Sequence, residues 1–455
     1  MNKRLNLTEG SISQKLIKLS LPIMGTSFIQ MAYNMIDMIW VGKDGSNAVA
    51  AVGTAGFYPW LAMSLIMISK IGGEIKVAQS IGNKDIKMTK SYIKASIELN
   101  IIFAVIYTIF ILILNKPLID IFNLGDKEVI LMSRKYLITI GIGMFFYFIN
   151  PVLTSIFNGL GNSKAPFKIN TIGLIVNIAL DPILIFGFYK LPALGVIGAA
   201  LATVIAQVVV TICFVYMIIK NKDDLFNIRL FKNIEVNRYR VLLKLGMPVA
   251  LQSGLFTLFS MALGIIVASF GPLAVATQKV GSQIESVSWM ISDGLAAALS
   301  SFIGQNYGAG KYDRVDKGCK IGIFSAIIWG VFTSCTLIFF SRPIYSIFIN
   351  EPLAIEKGAD YLKILGYSQV FMCIEIIISG IFKGVNRTYT PSIIGILFTG
   401  LRIPLAMILC SPVILGLNGI WWSVTISSVI KGIILFSIFV ILYNRKKLYK
   451  RYEAM

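Results

Sequence analysis

Apolar residues in this chain come in long runs broken by short polar segments. Twelve runs stand out, at residues 15–41, 49–79, 92–114, 133–160, 165–187, 194–219, 240–268, 275–305, 319–341, 359–383, 391–412 and 416–443. A bilayer core about 30 Å thick needs roughly 20 apolar residues per helix, so each run predicts one membrane-spanning helix. Ahead of the first run, Met1–Ser13 is short and polar and lacks a small-residue cleavage site, so no signal peptide is expected. Two outer loops, Asn115–Met132 and Arg342–Lys357, mix acidic and apolar residues and predict short interfacial helices.

The pattern occurs twice. Ile17-Lys18-Leu19-Ser20-Leu21-Pro22 returns 226 positions later as Leu243-Lys244-Leu245-Gly246-Met247-Pro248. At the same offset Ala48-Val49-Ala50 meets Ala274-Val275-Ala276, and Gln79 and Gly82 meet Gln305 and Gly308. Phe157-x-Gly159 through Pro166 meets Phe382-x-Gly384 through Pro391 one position out of register. Ordered matches at a near-constant offset mark a duplication. The expected fold is therefore all-α and integral to the membrane, with twelve spans in two six-helix lobes. Six is even, so both lobes insert in the same orientation, related by a parallel pseudo-two-fold axis along the membrane normal. The longest polar connection sets the boundaries: an N-lobe at 1–220, a cytoplasmic linker at 221–239 and a C-lobe at 240–455.

The composition agrees, with 56% hydrophobic and 14% charged residues. A net charge of +20 suggests nucleic acid until its distribution is examined. With both termini inside, 28 of the 42 Lys and Arg fall on cytoplasmic loops and ends, 9 on the outer side and 5 within spans (Lys70, Lys76, Lys279, Arg402, Lys431). That asymmetry is the positive-inside rule. It predicts a multi-pass protein of the cell membrane with cytoplasmic termini, touching anionic lipid and no nucleic acid. The five cysteines show no metal or redox spacing. Histidine is absent, so proton or cation chemistry falls to carboxylates.

Charges inside spans are costly and usually face the protein interior. Asp37 in span 1, Asn177 and Asp181 one turn apart in span 5, and Thr203 in span 6 share one layer in the outer half of the first lobe. Two carboxylates, an amide oxygen and a hydroxyl suit a hard monovalent cation such as Na⁺. Paired carboxylates also suit proton exchange. Pro182 frees the Ile178 carbonyl beside them. Each group could instead satisfy a neighbouring helix. The second repeat differs: Asp37 aligns with Leu263 and Asn177 with Arg402. Its deep charges are Glu285, Glu375 and Arg402, read either as a polar patch that meets substrate or as a set that neutralises itself and holds helices together. Asp293, Glu74, Glu98, Lys70, Lys76 and Lys279 lie nearer the span ends and are read as snorkelling or gating groups. Pro22 and Pro248 sit at equivalent positions of the first span in each lobe, and a bend is expected at both, with Pro22 the hinge. Abundant Phe, Tyr and Met suit either an adaptable pocket for apolar cations or plain lipid-facing filler.

Several segments resemble the multidrug and toxic compound extrusion (MATE) family. They are Tyr33-Asn34-Met35-Ile36-Asp37-Met38-Ile39-Trp40-Val41-Gly42, Asn158-Gly159-Leu160-Gly161-Asn162-Ser163, Asn177-x-x-x-Asp181-Pro182 and Gly304-Gln305-Asn306-Tyr307-Gly308-Ala309-Gly310. The resemblance implies export of amphipathic, mostly cationic small molecules in exchange for inward Na⁺ or H⁺. It places the family's first-lobe cation site on Asp37, Asn177, Asp181 and Thr203. Some members carry a second-lobe cation site with a glutamate in span 7 and an aspartate in span 10. Here span 7 has no acid, Phe256 falls near the family glutamate, and Glu375 is about one turn displaced.

The expectation is an antiporter coupled through its first lobe, acting as a monomer without a cofactor beyond the coupling ion. The alternative is a flippase for lipid-linked oligosaccharide or peptidoglycan precursors, which favours several deep arginines, whereas only Arg402 is deep here. An intramembrane enzyme lacks histidine, a metal cluster and a nucleophile motif. No Gly-x4-Gly-Lys-Ser/Thr sequence is present for an ATPase.

Overall fold

A computed structural model describes residues 4–189, 191–349 and 351–449. Lys3, Lys190, Lys450 and Arg451, counted above among the charges, and Asn350 of the second outer loop lie outside the described residues. Long apolar segments in lipid must satisfy their own backbone groups, and helices do so. The described residues accordingly form helices and no named strand. The first repeat contains α1 (Ile12–Asp44), α2 (Ser46–Ala55), α3 (Phe57–Gly82), α4 (Ile86–Asp120), α5 (Lys127–Gly159), α6 (Lys164–Phe186) and α7 (Val196–Lys220). The second contains α8 (Val236–Ala268), α9 (Pro272–Gly308), α10 (Tyr312–Phe339), α11 (Ser341–Ser346), α12 (Pro352–Gly366), α13 (Gln369–Gly384), α14 (Tyr389–Gly400), α15 (Arg402–Leu409) and α16 (Leu417–Asn444).

Ten helical segments among the described residues are long and apolar enough to cross a membrane. The pair α12 and α13, bent by 51° at its break, makes an eleventh. α1 supplies the twelfth by length, 33 residues, although Lys15, Lys18, Asp37, Lys43 and Asp44 dilute its hydropathy. The expected runs hold, but three are broken: the second divides into α2 and α3 at Gly56, the tenth into α12 and α13, and the eleventh into α14 and α15 at Leu401. The first outer loop forms no separate interfacial helix. α4 runs on through Pro117 to Asp120, and α5 starts at Lys127, where the Asp126 carboxylate accepts from Glu128 N at 2.7 Å. In the second outer loop α11 forms a short helix.

The chain packs as two compact units. Unit 1 takes the segment ending at Asn6 and then Leu21–Ala250; unit 2 takes Leu7–Ser20 and Leu251 onwards. Unit 1 is built around Val41, Ile66, Ile93, Met144, Phe148 and Phe214. The start of α8 belongs to it: Leu245 and Val249 pack with Ile71 and Ile75 of α3. The connection before α8 is clipped to α4, where Glu98 accepts from Phe231 N and from Tyr239 Oη, and Lys94 donates to Lys232 O and Asn233 O. Unit 2 has its own core around Leu263, Tyr361, Ile420 and Trp421. There the start of the chain is fastened by backbone carbonyls. Leu7 O accepts from Asn306 Nδ2 and Arg314 Nη2, both at 3.1 Å, and Gly10 O accepts from Arg314 Nη1 at 2.9 Å. Both α1 and α8 run through their prolines as single helices.

Candidate functional site

The hairpin of α6 and α7 sets the first site. Gly187 (φ +81°) and Gly195 (φ +52°) permit the tight turn between them, and Leu194 N and Gly195 N donate to Leu184 O and Ile185 O at 3.1 Å each. A Cβ built on Gly198 would fall on the Leu184 carbonyl, so glycine there lets the two helices touch backbone to side. Counting inwards from that contact, three residues to Asp181 and five to Thr203, puts the two within about 3 Å of the same level. α1 is held against this pair at three heights: Gly25 under the Phe167 ring, Tyr33 Oη donating to Thr203 O at 3.3 Å, and Trp40 edge-on to Phe186 at 6.1 Å. Asp37 lies one turn above Tyr33 on the same face.

Asn177 and Asp181 are both 0% exposed, and Asn177 Nδ2 donates to Asp181 Oδ1 at 3.0 Å. Asp37 lies close enough to Asp181 for their charges to interact. No Lys or Arg pairs with either carboxylate among the described residues. Four buried oxygens here have no hydrogen-bond partner among the described residues: Asp37 Oδ1, Asn177 Oδ1, Asp181 Oδ2 and Thr203 Oγ1. A buried polar atom without a partner is expensive, and four on three helices make a hard-oxygen donor set for a cation. Oxygen donors with no nitrogen or sulfur ligand among them suit a singly charged ion or protons better than a transition metal. Two phenols, Tyr33 and Tyr136, lie near enough to both carboxylates to feel their charges, and Tyr147 lies beside those two rings. Sequence reasoning missed them because tyrosines do not stand out among lipid-facing aromatics.

The second-lobe charges do not close into one cluster, although Arg402 lies near enough to both Glu285 and Glu375 for their charges to interact. Glu375 of α13, 5% exposed, pairs with Lys431 of α16 at 3.2 Å. Glu285 of α9 accepts from Gln369 Nε2 at 3.2 Å. Arg402, the first residue of α15, donates from Nε to Ser427 Oγ at 2.9 Å and from Nη2 to Ser428 Oγ at 3.0 Å. Among the groups read as gates, Glu98 is 1% exposed and belongs to the clip between α4 and the connection before α8. Pro22 lies within α1 one residue beyond the point where that helix passes from unit 2 to unit 1. The cysteines are free, with Cys373 buried against Ser288 and Ser292.

The MatE family model matches residues 22–183 and again 248–408, one match per repeat. A probable multidrug resistance protein NorM of Thermotoga maritima is 28% identical over 414 residues, covering 90% of this chain and 88% of that protein. A probable multidrug resistance protein YoeA of Bacillus subtilis is 27% identical, covering 94% of this chain and 93% of that one. A solved transporter of the MOP superfamily from Pyrococcus furiosus superposes with a TM-score of 0.88 at 24% identity, covering 99% of each chain. At that identity the likeness speaks for the fold, two lobes of six spans each.

Proposed function

The chain belongs to the MatE family of multi-pass membrane transporters, and on that premise we propose that it is an efflux antiporter for amphipathic, cationic small molecules. In this reading inward Na⁺ or H⁺ is exchanged for outward substrate, with coupling in the first lobe at Asp37, Asn177, Asp181 and Thr203. The four unpartnered buried oxygens on α1, α6 and α7 carry the reading. Two carboxylates without a basic partner attract one cation or take up protons, and neutralising them removes the reason for the surrounding groups to stay apart. One charge moved inwards gains about 2.3 kcal/mol per 100 mV of membrane potential, enough for a modest substrate gradient. The protein sits in the cell membrane as a monomer with both termini cytoplasmic, its basic loops against anionic lipid. Family members transport molecules rather than transform them, which disposes of the enzyme reading.

The experiment is efflux of a fluorescent cation from proteoliposomes, with Na⁺ and pH gradients imposed separately. Asp37→Asn and Asp181→Asn should abolish gradient-driven efflux while the proteins remain folded. Full coupled efflux by purified Asp181→Asn protein would remove the first-lobe mechanism.

A further inference from the structure

In unit 2 the Arg402 guanidinium makes no ion-pair contact among the described residues, although Glu285 and Glu375 are near enough for their charges to be felt. Two of its five N–H donors are used by Ser427 Oγ and Ser428 Oγ, which orient the group without neutralising it. The serines occupy the edge formed by Nε and Nη2, leaving three donors, two of which form the Nη1–Nη2 end, the fork that grips a carboxylate with two parallel bonds. Glu375 is already paired with Lys431. Glu285 comes no closer than 4.0 Å to Arg402, although their charges are near enough to interact. Both Glu285 and Arg402 are half-buried rather than sealed. A pair serving only to hold helices would close into contact, since contact is what repays the cost of burying charge. Here each charge is instead held by neutral side chains, Glu285 by Gln369 and Arg402 by two serines.

The surroundings supply a packed aromatic wall and further polar atoms. Tyr361, 5% exposed, lies within reach of both charges and packs edge-on against Trp421 at 5.2 Å. Gly281, one turn before Glu285, leaves room for the Tyr361 ring on α9. Gln369 Oε1, Thr277 Oγ1 and Trp421 Nε1 are buried there without partners. The repeat also puts Arg402 in place of Asn177, so a guanidinium stands where the first lobe has a cation-site amide.

We propose that Glu285 and Arg402 form a subsite that selects zwitterionic substrates, with the carboxylate on the free fork of Arg402 and the cationic part facing Glu285. It rests on the transporter reading and extends its substrates from simple cations to zwitterions. The charged hydrogen bonds at stake correspond to about tenfold or more in affinity.

The test uses rhodamine B, which carries a carboxylate beside its delocalised cation, and its ethyl ester, which keeps the cation and loses the carboxylate. Binding to purified protein is read by fluorescence anisotropy without any ion gradient. Arg402→Gln should weaken rhodamine B binding about tenfold or more and the ester by less than about threefold. Arg402→Lys should fall between, because it keeps the charge without the fork. Ser427→Ala/Ser428→Ala, which leaves the charge but frees it to swing, should show a smaller loss confined to rhodamine B, and it decides the matter if Arg402→Gln does not fold. Equal losses for the two dyes, or wild-type affinity for rhodamine B in folded Arg402→Gln, would overturn the proposal. Efflux of the ester by the same wild-type protein is the separate check. If the ester is bound but never exported, the transporter reading fails while the subsite survives.

Discussion

Glu375 and Lys431 lie 3.2 Å apart with side chains 7% and 12% exposed, so removing either leaves the other charge stranded. Breaking a buried pair from one side costs about 3–5 kcal/mol, whereas replacing both partners by apolar groups is often neutral. Glu375→Gln should therefore lower the apparent unfolding temperature, and Glu375→Gln/Lys431→Met should restore most of the loss. Thermal unfolding in detergent measures both; a stable single variant would mean that the pair is not buried as a unit. The pairing also shows where residue-scale reading stops. Asp37, Asn177, Asp181, Thr203, Glu285, Glu375 and Arg402 are legible because a polar group in an apolar run is conspicuous. Their partners are not, because Lys431, Gln369, Ser427 and Ser428 meet them from helices distant in sequence, and no spacing rule links them. The division of the second-lobe charges into one closed pair and one open pair depends on those partners.

At the scale of elements, the hydrophobic runs located every spanning helix, since lipid demands about the same apolar length of each. They did not locate the breaks at Gly56, between Gly366 and Gln369, or at Leu401, because one or two polar or small residues inside a long apolar run do not end the run, although the helix turns by 51° at the second of them. Close helix contacts were equally hidden. Gly198 at the start of α7 abuts the Leu184 carbonyl, and Gly419 at the start of α16 abuts the Leu409 carbonyl, so the repeat uses the device twice. Adding a methyl at either site pushes backbone against backbone, an overpacking cost of about 1–3 kcal/mol. Gly198→Ala and Gly419→Ala should both lower thermal stability. Only Gly198→Ala should also weaken the ion response of transport, because it shifts Asp181 relative to Thr203. Measuring efflux against Na⁺ and proton concentration in both variants separates the effects. A similar loss of ion response in Gly419→Ala would show that the hairpin geometry of α6 and α7 is not what sets the ion site.

For the molecule as a whole, the two compact units do not divide the chain at the connection between repeats. α1 packs with unit 2 as far as Ser20 and with unit 1 from Leu21, while α8 packs with unit 1 as far as Ala250 and with unit 2 from Leu251. Pro22 and Pro248 stand within three residues of those changes, so each crossing helix has one backbone hydrogen bond missing close to where it passes between units. Thr26 Oγ1, bonded back to Pro22 O at 2.9 Å, favours a bend at the same turn. The two ends of α1, and likewise of α8, are packed into different units. α1 alone also carries a carboxylate of the ion site, Asp37, about four turns beyond Pro22. Pro22→Ala should therefore stiffen the helix that links ion occupancy to the change of state. Substrate binding should survive and turnover fall, because the change of state is impaired while the site is intact. Pro248→Ala is the matched control, with a smaller effect expected because α8 carries no ion ligand. Equilibrium binding and initial efflux rate on both variants decide it. Equal losses in the two, or weakened binding with an unchanged rate per bound substrate, would make Pro22 a packing residue and leave the link between ion site and movement to be sought in α6 or α7.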